Sequence, residues 1–309
     1  MAEFSLSSIR HEIESQNLGW QAGLTSLADL SRQEQDAHLG LHLDKDQIRR
    51  LHRAFEAVTC EPCSFPPSWN WQDVDGIDWT TPIRDQGACG SCVAFGVLGA
   101  VEAMVKWAGG DPTRPVDLSE AHLFFCGCGR CCQTGWWPGE ALDYLRDQGV
   151  PDEACFPYQA RDRACRDTCA DWASRAVRVG PWHEILDAGA RKQWLSTIGP
   201  LVGAMAVYRD FFYYAGGVYR PATNDLAGYH AVAVVGYDDE QSAWICKNSW
   251  GLGWGDAGWF RLAYGACGID TEFPAWAVES VVAPGGSEPA PEPKGCSPLA
   301  WLRARLPRG

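Results

Sequence analysis

The chain has 309 residues, a formal charge of −13, 46% hydrophobic residues and 14 cysteines. This composition excludes a wholly disordered chain, and the acidic balance argues against nucleic acid or an anionic membrane as a partner. No apolar run reaches 18 residues, so no membrane span is expected. The cysteine load fits an oxidising compartment, extracellular or lysosome-like. The first fifteen residues, however, carry Glu3, Arg10, His11, Glu12 and Glu14 and no apolar run of the kind an export signal needs. A cytoplasmic protein with reduced thiols is the alternative.

In chain order, residues 1–64 read as a polar, helix-rich leader, with helical spacing over 7–16 and 44–58. Pro62, Pro66 and Pro67 mark a boundary. Residues 65–283 carry the chemistry. In their first half, 93–107 is apolar almost all round and predicts a buried helix stopped by Gly109 and Gly110. Helices are also expected over 119–125 and over 140–147, the latter stopped by Gly149. In the second half, 205–208, 230–237, 243–247, 259–262 and 276–278 are short and rich in β-branched and aromatic residues, as strands are. Helices followed by strands predict an α+β protein of two lobes, with the site between them. Residues 284–309 form a Pro/Gly-rich linker and a basic tail.

One cysteine is placed for chemistry. Cys92 opens the buried helix, where unpaired N–H groups and the positive dipole end lower a thiol pKa. His230, read as the one histidine on a strand-like segment, supplies an imidazole that lowers it further. Asn248 accepts from the other ring nitrogen and fixes the rotamer, and Trp250 covers that bond. Gln86 offers a side-chain N–H and Cys92 a backbone N–H, two donors for an oxyanion. A cysteine before an apolar helix is more often a small buried hydrophobe, so the reading rests on the joint occurrence of these residues.

Gln86-Gly87-Ala88-Cys89-Gly90-Ser91-Cys92, the segments YHAVAVVGY and KNSWGLGWG, and LSEAHLFFC resemble the papain-like cysteine proteases over nearly the whole chain. The spacing of His230 after Cys92 also falls in the range of about 130–150 residues that such enzymes show. The resemblance implies a papain-like two-lobe fold, with a helical left lobe and a β-barrel-like right lobe. It makes Cys92 the nucleophile, His230 the acid and base, Asn248 its orienter and Gln86 an oxyanion donor. One departure is Val93, where the family has an aromatic residue.

The leader segments Asn17-Leu18-Gly19-Trp20-Gln21-Ala22-Gly23 and His38-Leu39-Gly40 resemble the short propeptide of cathepsin B. That implies a zymogen whose own leader runs backwards through the cleft, with cleavage near residues 59–66. The same branch implies the disulfides Cys89–Cys132, Cys126–Cys165, Cys128–Cys131 and Cys155–Cys169; spacing alone does not settle connectivity. Cys60, Cys63, Cys246, Cys267 and Cys296 have no assigned partner. A zinc site in the dense cysteine run is the rival; no metal or cofactor is expected. Only nine residues separate Cys155 from Cys165, so the histidine-bearing occluding loop of cathepsin B is absent and an endopeptidase is expected. The resemblance also places Glu272 at the base of the pocket for the second residue before the cut, where it accepts Arg. Gly135 lets a substrate backbone approach, and Trp136 and Trp137 wall the pocket. Peptide or protein substrates and a monomer are expected. The rival readings are a non-catalytic binding protein on the same fold and a transpeptidase or ligase using the same acyl-enzyme.

Overall fold

A computed structural model describes residues 5–43, 65–129, 131–282 and 284. The expected 44–58 helix, most of the cleavage region, Cys60, Cys63 and Cys296, and nearly all of the tail lie outside the described residues.

The N-terminal helix Leu6–Ser15 starts where Ser5 and Ser8 cap each other's backbone N–H groups, and it buries Ile9 and Ile13, four residues apart on one face. A short second helix, Arg32–Asp36, begins with a reciprocal cap between Ser31 and Glu34. The central helix runs Cys92–Ala108 and is buried from Cys92 through Lys106, as its nearly uniform apolar sequence requires. The expected 119–125 helix appears as a wider-wound turn over His122–Cys126. The next helix, Pro138–Asp147, starts two residues earlier than expected, because Pro138 suits a first turn whose N–H has no partner anyway.

The second half builds an eight-stranded sheet. Its main path runs Trp182–Ile185, Ala275–Val278, Leu201–Tyr208, Leu226–Asp238, Ala243–Lys247, Trp259–Ala263, Val218–Tyr219, with Ser68–Asn70 paired to Leu226–Asp238. Neighbours are antiparallel except Trp259–Ala263 with Val218–Tyr219. His183 lies on the Trp182–Ile185 strand, paired with Glu279, so His230 is not the one strand histidine. Trp182 and Glu184, polar-edged neighbours, hide that strand from a periodicity argument.

The helix and the sheet meet closely. A Cβ on Gly96 would lie 3.2 Å from the Val232 backbone, so glycine lets the Cys92–Ala108 helix seat directly on the Leu226–Asp238 strand. A buried polar link reinforces the join: Lys247 Nζ donates to Thr81 Oγ1 at 2.7 Å, and Thr81 donates to Glu102 on the helix. Disulfides join Cys89–Cys132, Cys126–Cys165, Cys128–Cys131 and Cys155–Cys169, the four pairs the resemblance implied. The dense cysteine run is thus consumed by sulfur–sulfur bonds and holds no set of thiolates for zinc. Four disulfides suit an oxidising compartment. Among the described residues no helix is long and apolar enough to cross a membrane.

Candidate active site

The helix–strand seat brings Cys92 and His230 to one place. Cys92 is the first helical residue and has no exposed surface; its Sγ accepts from the backbone N–H of Ala231 at 3.4 Å. His230 stands opposite Met205 in the sheet. Its Nε2 lies 2.7 Å from Asn248 Oδ1. The Ser249 backbone N–H donates to that same atom at 2.8 Å, which identifies it as the amide oxygen. The imidazole proton therefore sits on Nε2, and Nδ1 keeps its lone pair. Nδ1 is buried with no hydrogen-bond partner. Trp250 packs over the imidazole with ring centroids 4.7 Å apart, shielding the His230–Asn248 bond from water.

Gln86 is fully buried and held at every polar atom. Its Oε1 accepts from Ser249 Oγ at 2.6 Å. Its Nε2 donates to the Cys89 carbonyl at 2.8 Å and to the His38 carbonyl at 3.0 Å. The N–H expected to face a reacting oxygen is thus occupied by an N-terminal carbonyl.

The stretch around His38 fills the cleft. Trp136 N–H donates to Gly40 O at 2.8 Å and His42 N–H donates to Trp136 O at 3.0 Å, while on the other wall Leu41 N–H donates to Tyr229 O at 3.3 Å. The pairing of Leu41 with Trp136 is parallel. Gly40 is pressed between two other glycines: a Cβ on it would overlap the Gly90 carbonyl, and a Cβ on Gly135 would overlap the Gly40 carbonyl. Gly135 also has φ +72°, a left-handed conformation that favours glycine. Ion pairs fasten the segment outside the cleft, Arg32 with Asp225 at 2.9 Å and Asp36 with Arg209.

This covering reverses the electrostatics expected from the sequence. The Cys92 thiol is not held low; burial pushes it up to about 11, against weaker help from the backbone N–H groups of Ala231, Gly40 and Val93. Burial likewise pushes His230 down to about 4, although its bond to Asn248 favours the charged form. With the N-terminal segment in place the pair is neutral. A helix dipole acts on a thiolate that water can reach, and here desolvation outweighs it.

Of the other expected site residues, Gly135, Trp136 and Trp137 line the same cleft. Trp136 and Trp137 are buried, the latter edge-on to Trp276 at 4.9 Å. Together with Thr134, Gly135 and Glu140 they border a groove of about 420 Å³ beside His42. Glu272 is exposed and folds back against Gly268. The Val93 side chain is fully buried, and its backbone N–H is one of those that favour the charged form of the Cys92 thiol. Two contacts carry no expectation from the sequence: the His38 carbonyl on Gln86, and Ser249, which bridges Gln86 and Asn248. The position of Ser249 next to Asn248 was the available signal; His38 lies in a segment that resembles a propeptide, but its contact with Gln86 spans 48 residues and leaves no local mark in the sequence.

Comparison with known proteins agrees with this geometry. The family model described as papain family cysteine protease matches residues 65–276. Cathepsin B-like CP2 of Giardia intestinalis is 37% identical over 299 residues, covering 87% of this chain and 92% of that protein. Cathepsin B-like CP3 of the same organism is 33% identical over 287 residues, with the same coverage. Among solved structures, digestive procathepsin L2 from Tenebrio molitor larval midgut superposes with a TM-score of 0.71 at 27% identity, covering 88% of each chain. The fold is shared with proCathepsin B S9 from Trypanosoma congolense, at a TM-score of 0.73 and 22% identity, over 89% of this chain and 98% of that one. The chain belongs to the papain family of cysteine proteases, is cathepsin B-like, and is a thiol protease in zymogen form.

Proposed function

We propose that residues 1–64 are an inhibitory propeptide and that, once it leaves, Cys92, His230, Asn248 and Gln86 carry out peptide hydrolysis. Water entering the cleft removes the desolvation that keeps the pair neutral, and the Cys92 proton moves to His230 Nδ1. The thiolate attacks the scissile carbonyl carbon. The oxygen takes the negative charge between the Gln86 side-chain N–H and the Cys92 backbone N–H. His230 then protonates the leaving amine as the C–N bond breaks, leaving a thioester. A water molecule gives its proton to His230, attacks the thioester, and releases the acid and the thiol. The observation that carries this reading is the buried Nδ1 lone pair of His230, oriented by Asn248 and left without a partner, on the residue next to Ala231, whose N–H meets Cys92 Sγ.

The cleft supports an endopeptidase. Only nine residues lie between Cys155 and Cys165, too few for a loop that would close the leaving-group side. Leu41, buried between Trp136 and Tyr229, models an apolar side chain beside the thiol. The carboxylate of Glu272, in the turn before the Ala275–Val278 strand and close enough to Tyr208 for its charge to act there, favours Arg at the second residue before the cut. Extracellular or lysosome-like action fits the disulfides.

The test is incubation of the protein at mildly acid pH with a thiol reductant, following propeptide loss by mass and turnover of a dibasic fluorogenic peptide, with Cys92→Ala as control. Both signals are expected from the wild type, with no turnover by the variant. Propeptide loss without turnover favours a non-catalytic binding protein. An added amine appearing in the product favours a ligase.

A further inference from the structure

The span from Gln86 to Cys92 carries both proposed oxyanion donors, and one side chain from outside it ties its two ends. Tyr158, in the Cys155-Phe156-Pro157-Tyr158 motif, donates its hydroxyl to the Gln86 carbonyl at 2.8 Å and lies 2.7 Å from Ser91 Oγ. A phenol has one proton, so Ser91 is the donor in the second bond.

Ser91 turns its hydroxyl toward this bond and away from the helix start. It occupies the position before the Cys92–Ala108 helix, where a serine side chain ordinarily accepts from the helix's first N–H groups. Here it makes no such cap. A sequence that gives up a cap of about 1 kcal/mol at a helix start points to a use for the hydroxyl elsewhere.

The phenol is itself fixed. Its ring stands edge-on to Phe95 at 4.9 Å and stacks with Phe125 at 6.1 Å. Its backbone N–H donates to Glu153 at 2.6 Å. Burial holds its hydroxyl above the usual tyrosine range, so it remains a donor wherever the enzyme works.

We propose that Tyr158 is a positioning residue for the hydrolysis: by clamping the Gln86 carbonyl to the Ser91 hydroxyl it sets the separation and aim of the Gln86 amide and the Cys92 N–H. The proposal rests on the reading of those two groups as oxyanion donors. It requires no contact between Tyr158 and substrate. Oxyanion donors act only when they point at the oxygen as charge develops, and a small displacement far from the chemistry is enough to lose rate.

The test uses the propeptide-free enzyme and two reactions of the same sulfur. Turnover of a peptide amide creates an oxyanion. Alkylation by iodoacetamide forms an S–C bond as iodide leaves, and creates none. Tyr158→Phe is expected to lower kcat roughly 10-fold with KM within about twofold. The alkylation rate and its pH profile should stay at wild-type values. Ser91→Ala, which removes the other end of the clamp, should show the same split, and decides the matter if the tyrosine variant does not fold. In the intact Cys92→Ala precursor, Tyr158→Phe should also speed amide hydrogen exchange across residues 86–92, a readout that needs no turnover. A kcat within about twofold of wild type, alkylation slowing in step with turnover, or unchanged exchange would overturn the proposal. Wild-type turnover tests the protease reading separately.

Discussion

The His38 carbonyl accepts a 3.0 Å hydrogen bond from the Gln86 side-chain amide. A carbonyl of the chain's own N-terminal segment therefore occupies the donor proposed to hold a substrate's oxygen, and Gly40 crosses the thiol two residues later. On the proposed reading these contacts make the chain latent, because they also keep water from Cys92 and His230.

Gly40 should control that latency. Any side chain there overlaps the Gly90 carbonyl, and relieving such overpacking costs about 1–3 kcal/mol of docking. Gly40→Val is expected to raise the rate of propeptide loss at neutral pH at least about fivefold, measured by mass against wild type. Unchanged processing would mean that the segment has another way to seat.

Acid should release the propeptide. Burial lowers the pKa of both His38 and His230. His38 packs edge-on to Trp250, its Nδ1 lies 2.8 Å from the Glu34 carbonyl, and the charges of Asp85 and Glu34 favour its protonated form, as that of His38 opposes it for His230. Because the docked state has the lower histidine pKa values, the released state binds more protons as pH falls from about 6.5 toward about 4. Docking is strongest above that window and weakens through it. Dissociation of the propeptide from the Cys92→Ala precursor, followed at pH 7, 5 and 4, should accelerate with acid, less so in His38→Gln. A flat profile would rule out this linkage.

Asn248 should matter for rate and not for affinity. Its Oδ1 is the side-chain acceptor for His230 Nε2, so Asn248→Ala frees the ring to turn away from the sulfur. The expected result is a fall in kcat of at least about tenfold with KM nearly unchanged. Steady-state kinetics on one fluorogenic peptide suffices, and a loss confined to KM would contradict the orienting role.

Arg191 should anchor the right lobe. Its buried guanidinium donates to the carbonyls of Ile185, Leu186, Ile269 and Phe273. Burial lowers its pKa only to about 10, so it stays charged near neutrality. Arg191→Met strands those carbonyls and is expected to cost roughly 3–5 kcal/mol, seen as a drop of about 10 °C in Tm. A drop of under about 3 °C would show that the carbonyls find other donors.

Glu272 should select among substrates. Glu272→Ala is expected to lose cleavage of Arg-Arg peptides while sparing Phe-Arg peptides, because only the former place a guanidinium near the carboxylate. Comparing kcat/KM for the two peptides decides it; equal losses would count against the pocket assignment.

Much of the site was legible because its residues are adjacent to recognisable local signals. Cys92 begins an apolar helix, His230 lies in a β-branched run, and Asn248 follows Ala243–Lys247, a strand placed correctly from composition. The Pro138 helix start and the His183 strand were misjudged, since a first-turn proline and a short, partly polar edge strand carry weak periodicity. The thiol's charge state was misjudged for a different reason. Whether Cys92 is a thiolate depends on how much water reaches it, and residues more than 50 positions earlier decide that.

The amino-acid sequence by itself determined the buried central helix and the main strands, the α+β division and the identity of the groups able to do thiol chemistry, because helix and strand periodicity are local properties. Only the tertiary structure decided that Gln86 is shared between His38, Cys89 and Ser249, that Tyr158 braces the span before the helix, and that the Cys92–His230 pair rests neutral. Each of these depends on burial and on bonds between distant segments, and desolvation has no value until the chain has closed around the groups concerned.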